Sequence, residues 1–387
     1  MSNKKNKPLM PKLRFPAFRN SPEWISEKVD RLVDTITPPK KLPTSSYAVN
    51  GDFPIIDQSQ NAICGWTDDR EALIKDDLPL IIFGDHTCIL KLLDRPFAQG
   101  ADGIKILKPR PRIGTSYLYQ YLSYRPVVTE EYKRHYSILK EKVVLFPDFK
   151  TGEQQKIADC LSSLDELIVA QARKVNALKT HKKGLMQQLF PREGETQPRL
   201  RFPEFRDAVE WLPKTLGDAC KMQAGKFVSA ADIHAQSASG FFPCFGGNGL
   251  RGFTVTQTHN GTYPLIGRQG ALCGNVKLAT GKFHATEHAL VVTPNKGVEA
   301  VWLYYLLDLL NLNRFTTGQA QPGLSVDVLE KVPAAVPEDE KEQQAISSCL
   351  TSLDTVIAAA IQELETLKTH KKGLMQQLFP SAEAVEA

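Results

Sequence analysis

Leu178–Pro191 reads LKTHKKGLMQQLFP, and Leu367–Pro380 reads the same fourteen residues again, 189 positions later. Upstream, PKLRFPAFRNSPEW at Pro11–Trp24 returns as PRLRFPEFRDAVEW at Pro198–Trp211, with 9 of 14 positions identical. Between these blocks, Glu153-Gln154-Gln155 matches Glu342-Gln343-Gln344, and Cys160-Leu161 matches Cys349-Leu350. The stretches from about 25 to 140 and from about 212 to 325 barely match. A uniform duplication diverges uniformly. Here one part of each half meets the same surroundings twice, while the other part meets two different things. Recent recombination between the matching ends gives the same pattern and leaves the protein modular all the same.

The matching part reads as a long helix. Ile157, Leu161, Leu164, Ile168, Val175, Leu178, Leu185 and Leu189 recur at three, four or seven residues, and Ile346, Leu350, Leu353, Ile357, Leu364, Leu367, Leu374 and Leu378 repeat the series. Thr151 with Gln154 and Asp339 with Glu342 have the spacing of a capping box, and Pro191 and Pro380 mark the ends. About 37 residues at ~1.5 Å each make a rod of ~55 Å. Two leucine seams in one chain pair most simply with each other; the length of the connection permits either direction, and if each helix leads out of its own domain, an antiparallel coiled coil places a globular domain at each end. Burial of each seam against its own domain is the competing reading. Lys182 and Lys371 interrupt the seam, so the pairing is expected to loosen there.

The divergent parts read as mixed α/β. Phe53–Ile56, Leu80–Phe83, Ile104–Leu107, Pro264–Ile266 and Ala289–Val292 are apolar runs bounded by turn residues, and so predicted strands. Tyr117–Leu122 and Trp302–Leu307 are helix-like and correspond at an offset of 185. The two heads are therefore expected to share a fold. Glycine-rich loops interrupt the strands at 84–87, 100–103, 246–249 and 267–270. The fold class is α+β: two globular domains and two long helices in a pseudo-two-fold repeat. The expected limits are 1–150 for the first head, 151–191 for the first helix, 192–337 for the second head, 338–380 for the second helix and 381–387 for a tail.

Composition bounds the function. In 387 residues, 48 Lys plus Arg against 43 Asp plus Glu leave a net charge of +5, ordinary for a globular protein. No apolar run reaches the ~18 residues of a membrane helix, and Met1–Lys5 has no apolar stretch behind it. The seven cysteines include no Cys-x-x-Cys pair. A reduced, cytoplasmic chain without membrane association is expected.

Catalytic motifs are missing. There is no Gly-x-x-x-x-Gly-Lys-Ser/Thr loop, no Gly-x-Ser-x-Gly elbow, no Asn-Pro-Pro-aromatic motif and no loop suited to S-adenosylmethionine. His284–His288 fits the His-x-x-Glu-His spacing of one zinc-peptidase class, but that motif needs a helix, and this stretch reads as a loop entering a strand. Pro147–Lys150 is similar to a nuclease motif but stands where a linker into the helix is expected.

Polar residues gather in the loops of the heads. Gln58, Ser59, Gln60 and Asn61 follow a predicted strand, with Asp85, His86 and Thr87 in the next glycine loop. Asn248, Arg251, Arg268, Gln269 and Asn275 occupy the corresponding loops of the second head. Arg suits guanine and Asn or Gln suits adenine in the major groove. Solvated loop polarity is the plain reading of any one of them. The basic clusters 179–183 and 368–372 can touch phosphates or a protein partner, or simply face water.

Taken together, the Glu-Gln-Gln helix starts, the His-Lys-Lys-Gly-Leu-Met-Gln-Gln-Leu-Phe-Pro ends and the Leu-Arg-Phe-Pro segments at 13 and 200 resemble the specificity subunit of type I restriction-modification enzymes. Phe83–Thr87 with 100–103, and Ile266–Gly270, are similar to that family's target-recognition domains. The resemblance implies that each head reads one half of a split, asymmetric double-stranded DNA target. It implies that the paired helices space the halves, through Leu161, Leu164, Ile168 and Leu178 against Leu350, Leu353, Ile357 and Leu367. It implies that two methyltransferase subunits dock on the helices and that restriction subunits join them. S-adenosylmethionine, ATP and magnesium then belong to the partners, with no cofactor or metal in this non-catalytic chain. The first half lacks the Gly323-Leu324-Ser325 turn of the second, so its approach to the rod is expected to differ. A coiled-coil scaffold with two protein-binding heads is the alternative.

Overall fold

The computed structural model describes residues 10–101, 103–128, 134–270, 272–317 and 323–380. Asp102 of the first glycine loop, Met1–Lys5 and the 381–387 tail lie outside them. The chain divides into two units, residues 1–172 with 362–387, and residues 173–361.

Among its described residues unit one carries nine strands: β1 (Ile25–Lys28), β2 (Val33–Ile36), β3 (Phe53–Ile56), β4 (Gly65–Thr67), β5 (Leu80–Gly84), β6 (Leu90–Leu93), β7 (Ala98–Gln99), β8 (Ile104–Pro109) and β9 (Val143–Phe146). One sheet runs β2-β8-β5-β6, a second runs β4-β3-β7, and β1 pairs with β9. Unit two carries β10 (Leu212–Thr215), β11 (Cys220–Ala224), β12 (Phe242–Gly246), β13 (Gly249–Thr254), β14 (His259–Gly267), β15 (Val276–Ala285), β16 (Ala289–Pro294) and β17 (Pro333–Val336). Its large sheet runs β11-β16-β14-β15-β12-β13, and β10 pairs with β17. Reading β6 and β7 together as β15 makes the two orders identical. The parallel pairs agree as well, Ile55 beside Ala98 in one and Cys244 beside His284 in the other. The break falls at Asp94-Arg95-Pro96, where proline has no N–H to give a ladder.

Each unit also holds a buried helix, Thr115–Tyr124 or Ala300–Leu309, and portions of two long ones, Glu153–Leu189 and Glu340–Leu378. In unit one, Ile157 and Leu161 of the first long helix share a core with Met375 and Leu378 of the second. Further along, Lys371 binds Asp165 at 2.6 Å and Gln171 binds Glu363 at 2.8 Å. Numbers rise on one helix as they fall on the other, so the segments run antiparallel. In unit two, Lys182 binds Asp354 at 2.6 Å, while Met186 and Leu189 pack with Ile346 and Leu350.

These two ion pairs are the same pair under the 189-residue repeat, with the roles of the helices exchanged. The lysines therefore do not loosen the pairing. Each is mostly buried against an aspartate of the opposite helix, and each aspartate has a second partner on the buried helix of its unit. Gln120 Nε2 donates to Asp165 at 2.7 Å, and Tyr305 Oη donates to Asp354 at 2.7 Å.

Aromatic side chains weld helix ends to heads. Phe379, Tyr117 and Trp24 meet in unit one, with centroid distances of 5.8 and 6.2 Å from the Tyr117 ring. Phe190, Trp302 and Trp211 take the same places in unit two, at 5.8 and 5.9 Å from the Trp302 ring. Leu13 N–H donates to the Gln377 carbonyl as Leu200 N–H donates to that of Gln188, both at 2.9 Å.

Neither expected capping box forms. Thr151 does accept from Glu153 N–H, but Gln154 turns away to bind the carbonyls of Arg112 and Pro147 and the N–H of Gly114. Asp339 caps Lys341 N–H, but Glu342 takes Arg201 as its partner. The second long helix also corrects the hydropathy reading. It contains an 18-residue window of mean hydropathy 1.3, apolar enough by composition to cross a bilayer. Burial of Ile346 and Leu350 in the core of unit two accounts for part of that apolar character.

Candidate nucleic-acid interface

The frame is fixed first. Arg14 binds Glu153 through two bonds of 2.7 Å, from Nε and Nη2, and donates to the Ser21 and Pro22 carbonyls. Arg201 binds Glu342 at 2.6 and 2.7 Å and donates to the Ala208 and Val209 carbonyls. The carboxylates are 1% and 2% exposed, so these are buried, bidentate, charge-assisted pairs. Gln343 repeats the work of Gln154, with Glu299 N–H and the carbonyls of Gly297 and Pro337. The repeated sequence is thus a repeated set of contacts holding each head.

In unit one, the loops after β3, β5 and β7 converge. Gln58 Oε1 accepts from His86 N–H at 3.2 Å, and Thr87 Oγ1 donates to the Gln58 carbonyl at 2.8 Å. Asp57 accepts from Ser59 N–H and from the Cys64 thiol, and Lys91 donates to the carbonyls of Asp57 and Asn61. Those bonds hold the Asp57 carboxyl below its usual range even though burial pushes it up. Gly103, at φ +102°, leaves no room for a side chain: a Cβ there would sit 2.3 Å from Gln58 Nε2. Gln60, Asn61 and Thr87 are exposed, and Gln58, Ser59 and His86 are half-buried. Asp85 is buried and gives its carboxylate to Tyr136 N–H, so it fixes the loop rather than pointing out of it.

In unit two, the loops after β12, β14 and β15 converge in the same way. The Gly247 and Gly267 backbones pass so closely that a Cβ on Gly267 would lie 2.1 Å from the Gly247 carbonyl oxygen. Arg268 N–H donates to the His288 carbonyl at 2.9 Å, and His288 Nδ1 lies 2.9 Å from Gln269 Oε1. Asn248, Arg251 and Gln269 are exposed, while Arg268 and Asn275 are half-buried. The structure brings Arg268, Gln269 and the β12–β13 hairpin of Asn248 and Arg251 to one edge.

The turn thought missing from the first half has an equivalent. Leu324 N–H donates to the Arg268 carbonyl at 3.0 Å, and His135 N–H donates to the Asp85 carbonyl at 2.8 Å. His135 and Leu324 are 189 residues apart and both buried. The tie is kept through the backbone, so the side chains carrying it were free to diverge.

The zinc-like spacing has another use. His284 ends β15, with Nδ1 2.9 Å from Thr256 Oγ1 and Nε2 2.9 Å from the Lys226 carbonyl, and His288 stands in the next turn. Among the described residues no group of three His, Cys, Asp or Glu is placed to hold a metal ion. Asp148 of the nuclease-like stretch accepts from Lys150 N–H in a short turn before the helix.

Along the rod, Leu161, Leu350 and Ile357 are buried, and Leu164, Ile168, Leu178, Leu353 and Leu367 are half-buried. Of the basic clusters, Lys182 and Lys371 are ion-paired across the helices, Lys368 is exposed and paired with Glu365 of its own helix at 2.8 Å, and Lys179, His181, Lys183, His370 and Lys372 are exposed. Sequence reasoning missed Glu287 and His288 as companions of Gln269, because strand pairing alone brings the two turns together.

Residues 208–369 match the family model described as the type I restriction modification DNA specificity domain. A stretch of 164 residues is 43% identical to the EcoprrI specificity subunit of a type I restriction enzyme from Escherichia coli, and it covers 42% of this chain and 40% of that one. The chain thus spans less than half the length of that relative. The S subunit of a type I restriction-modification system from M. genitalium shares the fold, with TM-score 0.70 and 19% identity over 96% of this chain and 99% of that one. A chain from a study of complex assembly and conformational transition of the type I R-M system gives TM-score 0.51 and 15% identity over 93% and 98%.

Proposed function

We propose that this chain, which carries the DNA specificity domain of type I restriction-modification enzymes, is a specificity subunit reading a split DNA target with two different heads. One observation carries the reading: an identical strand order occurs twice, on an identical frame, with different polar loops at the same edge. Identical frames suit a partner met twice. Different loops suit two unlike half-sites. Dimeric readers present two equal surfaces to a palindrome; unequal surfaces call for an asymmetric target.

The chain does no chemistry in this reading. Two methyltransferase subunits dock on the repeated helices and bring S-adenosylmethionine, and restriction subunits bring ATP and magnesium. The exposed lysines of the two basic clusters are available to phosphates or to those partners. The complex works on cytoplasmic DNA. The net charge of +5 is no obstacle, since partner subunits supply phosphate contacts of their own.

The test is methylome sequencing of cells expressing this chain with its methyltransferase subunit, against cells with the methyltransferase alone. A chain-dependent, split, asymmetric motif is expected, and exchanging residues 212–325 changes one half of it only. An assembled complex that methylates nothing new sinks the reading in favour of a protein scaffold.

A further inference from the structure

The loop after β11 leaves the sheet at the edge where Asn248, Arg268 and Gln269 stand. Strand register fixes this. Ala224 at the end of β11 pairs with Leu290, Gly267 at the end of β14 pairs with Ala289, and Phe245 of β12 lies beside Ala285 at the end of β15. The ends of β11, β12, β14 and β15 therefore gather at the start of β16, and residues 225–228 join the three converging loops.

The backbone of this fourth loop is pinned. Gly225 N–H donates to the Ala289 carbonyl at 3.0 Å, and Lys226 N–H donates to the Ala285 carbonyl at 2.8 Å. Buried His284 holds the Lys226 carbonyl at 2.9 Å through Nε2; a carbonyl only accepts, so Nε2 carries the hydrogen. A Cβ on Gly225 would lie 2.2 Å from the Ala285 carbonyl oxygen, so the two backbones pass in contact. On the other side Val228 is buried. Between these anchored neighbours Phe227 is 76% exposed. A scattered apolar residue on a surface is ordinary. A ring held out in water by bonds before it and burial after it is presented to something.

Unit one treats the same place differently. Leu42 is buried there as Val228 is here, and each leads within two residues into a short turn, Thr44–Ser46 or Ala230–Asp232. Lys41 then stands where unit two has Phe227. The position differs between the heads, as a reading position does and a frame position does not. Its neighbours on the edge indicate the partner. Lys226, Arg251 and Arg268 outnumber Glu287 there, which suits a polyanion. In the major groove, which Arg, Asn and Gln also suit, an apolar ring gains from the thymine C5-methyl.

Resting on the specificity-subunit reading above, we propose that Phe227 is a specificity-determining residue of the second head, packing on the C5-methyl of a thymine in its half-site. The pinned backbone holds the ring at the edge without spending its side chain on the core. The contact separates thymine from cytosine, whose C5 is bare, where a hydrogen bond would read only the neighbouring O4 or N4.

The experiment uses the full chain assembled with its methyltransferase subunits, with binding measured at one salt concentration. Thymines of the target duplex are replaced one at a time by deoxyuridine, which lacks only the methyl. Wild type is expected to lose about fourfold in affinity at one thymine of the second half-site, the value of one buried methyl-sized group. Phe227→Ala is expected to bind the thymine and uracil duplexes alike at that position, and Phe227→Leu to keep part of the difference. Both variants keep the wild-type preference over the first half-site, which shows that the complex is intact. A wild type that prefers no sequence overturns the specificity-subunit reading, and this inference with it. A wild type that discriminates between sequences but is indifferent to deoxyuridine throughout the second half-site overturns this inference alone. So does a thymine–uracil difference that survives Phe227→Ala, or a Phe227→Ala loss that is equal on every sequence, which would assign the ring to the DNA backbone or to a protein partner.

Discussion

Replacing Arg14 by methionine removes the partner of a carboxylate that is 1% exposed. Glu153 loses two bonds of 2.7 Å, and the Ser21 and Pro22 carbonyls lose their donor. At ~4 Å and an effective dielectric of ~20, the lost attraction is about 4 kcal/mol. Breaking a buried pair from one side costs about 3–5 kcal/mol, because the remaining charge keeps its desolvation without its compensation. The helix N-terminus, where Glu153 sits, returns roughly 0.3–1 kcal/mol of that. Removing both charges, in Arg14→Met with Glu153→Leu, leaves two carbonyls that can reach water, since Ser21 is half-buried and Pro22 exposed. The double variant should therefore be more stable than the single one, with a coupling of about 2–3 kcal/mol. Urea titration followed by tryptophan fluorescence measures this, with Trp24, 3% exposed, reporting on the same unit. At about 2–4 °C per kcal/mol for a domain of this size, the single variant should melt roughly 6–20 °C lower. A loss under about 1 kcal/mol, the value of a surface pair, or a double variant no better than the sum of the singles, would refute the reasoning. Arg201→Met should cost less, because Trp211 Nε1 still donates to Glu342 at 3.2 Å.

Other outcomes follow from single contacts. Tyr305→Phe keeps the ring under Lys182 but loses the bond to Asp354, and should cost about 1–3 kcal/mol of unfolding free energy in a urea titration. Gly267→Ala puts a methyl 2.1 Å from the Gly247 carbonyl oxygen, so backbone must move; a loss of about 1–3 kcal/mol of unfolding free energy in a urea titration, with altered second-half-site preference, is expected. Burial pushes the Cys220 thiol up to about 12, so native protein should protect it from iodoacetamide at a pH where unfolded chain reacts. The sign is that the unfolded thiol ionises first, so stability falls as pH rises above 9 toward 12, and Cys220→Ala should flatten that limb.

How much of this was legible depended on distance along the chain. The long helices, expected at 151–191 and 338–380 and running Glu153–Leu189 and Glu340–Leu378, could be read from leucine spacing because a seam is a local pattern. The strands Phe53–Ile56, Leu80–Gly84 and Ala289–Pro294 could be read for the same reason. Gln154 and Glu342 were misread because the capping rule sees only residues three apart, while their partners stand 42 and 141 residues away. Lys182 and Lys371 were misread as flaws in a seam because the aspartates that neutralise them lie on the other helix, 172 and 206 residues off.

Comparing the two halves recovers what either half hides. Lys182–Asp354 and Lys371–Asp165 are one contact made twice, with the roles of the two helices exchanged. A change at 182 alone would leave Asp354 with Tyr305 as its remaining side-chain donor, while the sister bridge survived. The third partner of each bridge is not repeated. Gln120 and Tyr305 both donate to the aspartate, from unlike side chains on helices that belong to the heads. The boundary between what is repeated and what has diverged therefore runs through these bridges, with lysine and aspartate on the frame side and glutamine or tyrosine on the reading side. Exchanging the heads while keeping the frame should accordingly cost more at Asp165, whose Oδ2 has Gln120 as its donor, than at Asp354, where Lys182 reaches both oxygens, and a thermal melt of the two exchanged chains measures the difference.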